Sequence, residues 1–264
     1  MLSDAELDRY ARQIILPPFG GAGQAKLKSA HVAVIGAGGL GCPAITYLAA
    51  AGVGRISIID DDVVELSNLH RQPLFSDDDL GAPKALVAAR TGQRINPHIL
   101  FDPHVTRLAS DNVDALLSGA DIILDGCDNF ATRLIVNAAA VRANTPLLSA
   151  AVGAFDGQIA LYEGWRSNQP CYACLVGDDP HRDGINCAEA GVMGALVGMV
   201  GTMAALEVIR HLSGWGRSLL GRLMLVDMMD RQWREIGVAK DPACPVCHHQ
   251  TASDNRGHAG TSVP

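Results

Sequence analysis

Short apolar runs of strand length alternate with helix-length stretches through the first half of the chain. His31–Ile35 (HVAVI) and Arg55–Ile59 (RISII) read as strands, and the apolar stretch from about Leu40 to Ala51 between them reads as a helix, punctuated by Gly52 and Gly54. A helix opens at Pro83 and ends at Asn96-Pro97. A strand over Ile99–Val105, a helix around Asp111–Leu117 and a strand over Asp121–Leu124 follow, the last apolar on both faces as in a parallel sheet. Thr132–Ala143 reads as a helix, and Pro146–Ala151 and Gly157–Tyr162 as strands. From there the alternation stops. Residues 163–190 are a long polar connection, Gly191 to Leu212 is a long apolar helix, and Arg222–Asp227 with Gln232–Ile236 reads as a closing hairpin. This pattern predicts an α/β fold: a Rossmann-like mixed sheet, parallel in its N-terminal part, with antiparallel strands towards the C-terminus and helices on both faces. Residues 1–250 form one domain, and 251–264, polar and rich in Gly, Ser and Asn, a disordered tail. At the N-terminus Ser3-x-x-Glu6 is a capping box, and Leu7, Tyr10, Ile14 and Ile15 give the helix it opens an apolar face before Pro17-Pro18 stops it.

Composition narrows the class. With 264 residues, 48% of them hydrophobic, the chain can bury a large core and is not wholly disordered. A net charge of −7 argues against nucleic-acid binding, so any anionic ligand must be held by local basic groups. The acidic, polar N-terminus is not a secretory signal. The apolar stretch Gly191–Leu206 stops at Glu207, short for a membrane span and rich in glycine, so it is expected as a buried core helix and no membrane partner is expected. Seven cysteines without a signal peptide fit reduced thiols in the cytoplasm, used for metal or chemistry.

The candidate chemistry gathers in residues 31–72. Gly36-Ala37-Gly38-Gly39-Leu40-Gly41 fits G-x-G-x-x-G between a strand and a helix, where glycines let the backbone approach phosphates and the helix N-terminus offers free N–H groups. Asp60, at the carboxyl end of the second strand, suits ribose hydroxyls. Asn68, Arg71 and Gln72 fall on the same sheet edge and are placed to face phosphates. Lys84 sits in the first turn of a helix, where it opposes the dipole; an anion bound there relieves the misfit, and the bland alternative is a lysine reaching into water. Asp128, after a second acidic strand end, suits Mg²⁺ near phosphates, and either it or Asn129 can cap the next helix. Arg9 and Arg12 read by spacing as a solvated helix face.

The cysteines divide into groups. Cys171-x-x-Cys174 and Cys244-x-x-Cys247 are two knuckles that together suit a closed, structural tetrahedral Zn²⁺, with His248 and His249 as spare donors. The competing use is a pair of redox dithiols, disfavoured because neither knuckle is expected to open a helix directly after a strand. Cys42 is expected in the core, and Cys127 either in the core or at the Asp128 site. Cys187, in the polar loop, is a candidate nucleophile or sulfur acceptor, with an inert loop thiol as the alternative.

Taken together, RYARQIIL (9–16), GAGGLGCP (36–43), DDDVVELSNLHRQ (60–72), GAPKA (81–85), DGCDN (125–129), GQIALY (157–162), the two knuckles and NCAEAGV (186–192) resemble the MoeB/ThiF family of ubiquitin-activating-enzyme-like adenylyltransferases. With no rhodanese-like extension after residue 250, the chain resembles the short bacterial form. The resemblance implies an enzyme that uses Mg²⁺-ATP to adenylate the C-terminal Gly-Gly carboxylate of a ubiquitin-like sulfur-carrier protein, releasing pyrophosphate. It implies Asp60 on the ribose, Asn68, Arg71, Lys84 and Gln72 at the phosphates, Asp128 at Mg²⁺, and Arg12 reaching the ATP of the partner subunit in a homodimer. The molybdopterin-synthase small subunit is the favoured carrier, for molybdenum-cofactor synthesis, and the thiazole sulfur carrier of thiamine synthesis the alternative. A nicotinamide-dependent oxidoreductase and a catalytically silent binding module are the rivals of other classes. The first leaves Arg71, Lys84, Asp128 and four paired cysteines without a role.

Overall fold

The structure, a computed structural model, describes residues 2–180 and 191–248. In chain order its elements are α1 (Asp4–Ile14), α2 (Gly20–Ser29), β1 (His31–Ile35), α3 (Gly41–Ala51), β2 (Arg55–Ile59), α4 (Lys84–Ile95), β3 (Leu100–His104), α5 (Val113–Leu116), β4 (Ile122–Asp125), α6 (Phe130–Ala143), β5 (Leu147–Val152), β6 (Asp156–Tyr162), α7 (Tyr172–Val176), α8 (Gly194–Ser213), β7 (Arg222–Asp227) and β8 (Gln232–Gly237). The strands form one sheet in the order β3-β2-β1-β4-β5-β6-β7-β8. Pairings from β3 to β5 are parallel and those from β5 to β8 antiparallel. This is the expected mixed sheet.

Alternation along the strands fills two cores. On β1, Val32 and Val34 join one hydrophobic cluster, with α3, α4 and α8; Ala33 and Ile35 join the other, with α5 and α6. Both faces of the central strands β1 and β4 are therefore buried, which is why they read as apolar runs, whereas the edge strand β3 is half-buried and carries Asp102 and His104. The expected core helix is α8. By length and composition it could cross a membrane, but Leu196, Val197, Val200, Ala204, Ala205 and Val208 are buried against the sheet and α3. A Cβ on Gly201 would stand 2.5 Å from the Leu40 carbonyl, so that glycine is needed for the approach of α8 to α3, whereas Gly198 faces open space.

At the N-terminus one helix is absent from the sequence pattern and one expectation needs correction. Helix α2 carries no apolar periodicity and three glycines, so its pattern is silent. It is held by tertiary contacts: buried Leu27, Gln24 Nε2 donating to Ala51 O at 3.0 Å, and Lys26 Nζ donating to Ser213 O at 3.0 Å. Helix α1 buries Tyr10 and Glu6, while Leu7 (45% exposed) and Ile15 (67%) face outward. The capping box is formed as expected, with Ser3 Oγ accepting from Glu6 N at 3.3 Å and Ser3 N donating to Glu6 Oε2 at 2.8 Å. The Lys28 ammonium at 2.6 Å, with help from the Ser3 amide, holds the Glu6 carboxyl down at about 2. Because the folded state lowers this carboxyl, its contribution to stability is complete above the ordinary carboxylate value near 4.5 and is lost as pH falls towards about 2. Glu6→Gln should therefore flatten the acid limb of a denaturant-midpoint-versus-pH curve between those values and leave the curve's slope near neutrality unchanged. An acid limb identical to wild type would show that this carboxyl is not linked to folding.

Candidate active site

Sheet register brings the site together. Ile35 pairs with Ile59 and with Asp125, so the residues that follow these three strand ends emerge side by side at one edge. Gly36 N donates to Ile59 O at 2.9 Å and Gly126 N to Ile35 O at 3.1 Å. Gly36 takes φ +85°, a conformation L side chains rarely adopt, and a Cβ on Gly41 would stand 2.0 Å from the Gly36 carbonyl. The tight turn from β1 into α3 depends on both. It opens a cleft of about 910 Å³ lined by Gly36, Gly38 and Gly39, with Gly41 behind them.

Asp60 is buried on the cleft floor. Its Oδ2 accepts from Ala37 N at 2.7 Å and its Oδ1 from Asp62 N at 2.8 Å, so the carboxylate also fixes the glycine turn. Burial pushes its carboxyl above the usual range, opposed by those two N–H groups and by Lys84. Beside it, the chain at 62–64 pairs with 81–84: Gly81 N donates to Val64 O and Lys84 N to Asp62 O, each at 2.9 Å. This places Lys84, the first residue of α4, inside the cleft. Its side chain is 7% exposed and its ammonium lies 2.8 Å from Asp62 Oδ2, whose own side chain is 67% exposed. Lys84 does not reach into water.

The other basic and amide groups converge on the same wall. Asn68 is buried and its Oδ1 accepts from Glu65 N at 3.3 Å. Arg71 is half-buried, with Nη1 donating to Ser67 O at 2.9 Å. Gln72 is buried and lines the cleft, and its Oε1 has no hydrogen-bond partner among the described residues. Opposite them stands Asp128, exposed on the cleft rim. Asn129, not Asp128, caps α6, with Oδ1 accepting from Thr132 N at 2.9 Å, so the Asp128 carboxylate is not spent on the helix end. Asp125 is buried within β4 and accepts from Cys127 N at 3.1 Å. Burial, then Asp125, drives the Cys127 thiol well above the usual range, and burial pushes the Cys42 thiol up to about 12, which disfavours the thiolate in both. Arg12 is exposed on α1 and lies outside the cleft of its own chain. Cys187 lies outside the described residues.

The two knuckles meet. Cys171 Sγ is 3.9 Å from Cys174 Sγ and 3.6 Å from Cys244 Sγ, and Cys174 Sγ is 3.5 Å from Cys247 Sγ. A tetrahedral ion about 2.3 Å from each sulfur sets neighbouring sulfurs about 3.8 Å apart, whereas a disulfide needs about 2.05 Å. The described cysteines are free thiols. Burial, then the neighbouring thiols, push Cys247 up to about 12, a cost that a divalent cation removes. The donor set therefore fits zinc. The first knuckle opens a helix, the single turn α7 with Cys171 as its N-cap, but not directly after a strand, in keeping with the expectation.

Comparison with known proteins gives the chain its place. The model of the ThiF family matches residues 10–246. The chain belongs to the ThiF family. It is 46% identical over 246 residues to the sulfur carrier protein adenylyltransferase of Thermus thermophilus, covering 92% of this chain and 91% of that one. It is 43% identical over 249 residues to the molybdopterin-synthase adenylyltransferase of Salmonella typhimurium, covering 93% and 98%. Among solved structures it resembles Escherichia coli MccB with ATP, at 26% identity and a TM-score of 0.79, over 90% of this chain and 74% of that one.

In this ThiF-family chain three groups escaped the sequence reading. Arg133 lines the cleft, buried, donating from Nη1 to Ser149 Oγ at 3.0 Å and from Nη2 to Ala150 O at 2.8 Å and to Cys127 O. Burial works against its charge, but Asp125, Cys127, Tyr172 and Asp128 together outweigh this and hold the guanidinium above its usual range. Tyr172, between the knuckle cysteines, forms part of the cleft wall. So do Thr106–Leu108, after β3. The signal for Arg133 was present: Arg133 and Asn137 are a polar pair at four-residue spacing within the apolar middle of the helix.

Proposed function

We propose that this chain is an adenylyltransferase that activates the C-terminal Gly-Gly carboxylate of a ubiquitin-like sulfur-carrier protein with Mg²⁺-ATP. The observation that carries the reading is Lys84, a lysine buried in a cleft whose other wall is the glycine turn. A buried ammonium whose direct ion-pair partner is a solvated carboxylate, with Asp60 also acting on it, suits a polyanion. Family membership and the names of the relatives support the same reaction.

In this reading Asp60 receives the ribose hydroxyls, and Asn68, Arg71, Gln72 and Lys84 bind the phosphates. Magnesium held by Asp128 would supply further positive charge at the phosphate oxygens. A carrier carboxylate oxygen attacks the α-phosphorus; the bond from that phosphorus to the bridging oxygen breaks, and pyrophosphate leaves with the electron pair. No proton moves. Catalysis consists of alignment and of charge placed where the leaving oxygens gain it. Arg12, outside its own cleft on a helix with Leu7 and Ile15 exposed, serves the partner's cleft in a homodimer. The small subunit of molybdopterin synthase is the first carrier proposed and the thiazole sulfur carrier the second, in the cytoplasm.

ATP–pyrophosphate exchange tests this. Exchange should require one intact carrier and disappear when its terminal Gly-Gly is removed. Exchange with neither carrier would sink the carrier assignment, and tight NAD(H) binding with no ATP binding would return the oxidoreductase reading.

A further inference from the structure

The four-sulfur site and the nucleotide cleft are joined by one face of α6. Asn129, Arg133, Asn137 and Val141 follow at four-residue spacing, which stacks them along one side of the helix. Asn129 caps the helix beside Asp128. One turn on, Arg133 ties the Cys127 carbonyl to the end of β5 and so fixes the loop that carries Asp128. A further turn on, Asn137 is buried, and its Oδ1 accepts from Tyr172 N at 2.9 Å. That backbone N–H can only donate, so the amide oxygen must face it and the NH₂ group must face Cys171 Sγ, 3.5 Å away. Val141, at the far end, packs in the small cluster of Cys171, Cys244 and Cys247. Tyr172 returns to the cleft, its ring 6.1 Å from Tyr162 and 6.2 Å from Phe130.

We propose that Asn137 is a positioning residue that couples zinc at the four-cysteine site to nucleotide binding. Its N–H groups stabilise the Cys171 thiolate of the metal-bound state, and its oxygen holds the Tyr172 backbone. Metal occupancy thereby fixes a wall of the cleft and, through the same helix, the Asp128 loop. Outer-shell donors of this kind change metal affinity about 10–100-fold. A purely packing role for Asn137 would satisfy the Tyr172 bond and carry no dependence of nucleotide affinity on zinc. The inference rests on the nucleotide reading above and is independent of which carrier is used.

Linkage between two binding sites is reciprocal, so the wild-type holoenzyme can decide. Zinc is competed away with a chromogenic chelator, with and without saturating ATP, magnesium being in excess and no carrier present. ATP should raise the apparent zinc affinity by about fivefold or more. Asn137→Asp keeps the acceptor for Tyr172 N and loses the donor to Cys171. It should lower zinc affinity about 10–100-fold, weaken ATP binding at limiting zinc, and recover it at saturating zinc. An Asn137→Asp variant whose ATP affinity ignores zinc, or stays weak at saturating zinc, overturns the coupling. If that variant does not fold, the wild-type titration still decides. A holoenzyme that binds ATP but gives superimposable zinc curves overturns the coupling alone; one that binds no ATP overturns the nucleotide reading and the coupling with it.

Discussion

Lys84→Ala should reduce carrier-dependent ATP–pyrophosphate exchange by about 10²–10³-fold, the range for removing one preorganised group that stabilises developing charge. The fold should survive. Removing one member of a buried ion pair usually strands the other, but here the partner is Asp62, mostly exposed and able to turn to water. The backbone bond from residue 84 N to Asp62 O and the pairing of Gly81 with Val64 do not use the side chain, so the 62–64 segment stays beside α4. The thermal midpoint should therefore lie within a few degrees of wild type. Lys84→Arg is not a safe rescue, because a planar fork replaces a compact ammonium in a closed space. Asp128→Asn should give a loss of similar size without structural cost, since Asn129 and not Asp128 caps α6. If Lys84→Ala retains full exchange, the phosphates do not sit where this cleft places them.

The fold was legible because its central strands are buried on both faces: Val32–Ile35 within His31–Ile35, and Ile56, Ile58 and Ile59 within Arg55–Ile59, supply apolar runs of strand length. Helix α2 was not, because Gly20–Ser29 has no apolar face and is held by Gln24, Lys26 and Leu27 against distant parts of the chain. Leu7 and Ile15 have helical spacing in sequence, yet a single chain gives them nothing to pack on. In the site, the glycine turn, Asp60, Asn68, Arg71, Gln72 and Lys84 could be anticipated because they follow strand ends that the topology brings together. Arg133 and Tyr172 could not be placed the same way. One reaches the cleft from a helix turn, and the other from a metal knuckle 44 residues after Asp128 whose position depends on tertiary pairing with Cys244 and Cys247.

Cys244→Ser should remove the metal and open one corner of the molecule, not unfold the whole. Metal analysis of the wild type should give about one zinc per chain, as four thiolates per ion require, and close to none in the variant. The corner has little else to hold it: its cluster is made of Val141, Ala173, the cysteines and a few partly buried neighbours, a core mostly of sulfur. Outside the cysteines, Lys240 Nζ donates to Gly164 O at 3.0 Å, part-buried, and to Arg166 O at 2.8 Å, exposed, and these bonds tie the same two segments. Such bonds contribute about 1–3 kcal/mol each at most, against apparent zinc-binding energies on the order of 10 kcal/mol in small four-ligand sites. Loss of several kcal/mol from a chain of this size lowers the thermal midpoint on the order of 10 °C. The sheet has its own two cores on either face and should keep its circular-dichroism signature, while limited proteolysis should cut in the segment that carries Cys171 and Cys174. Cys127→Ser is the control: that thiol lies outside the cluster, and its variant should hold zinc like the wild type. A zinc-free Cys244→Ser protein with an unchanged midpoint and proteolytic pattern would mean that the knuckles are held by packing alone.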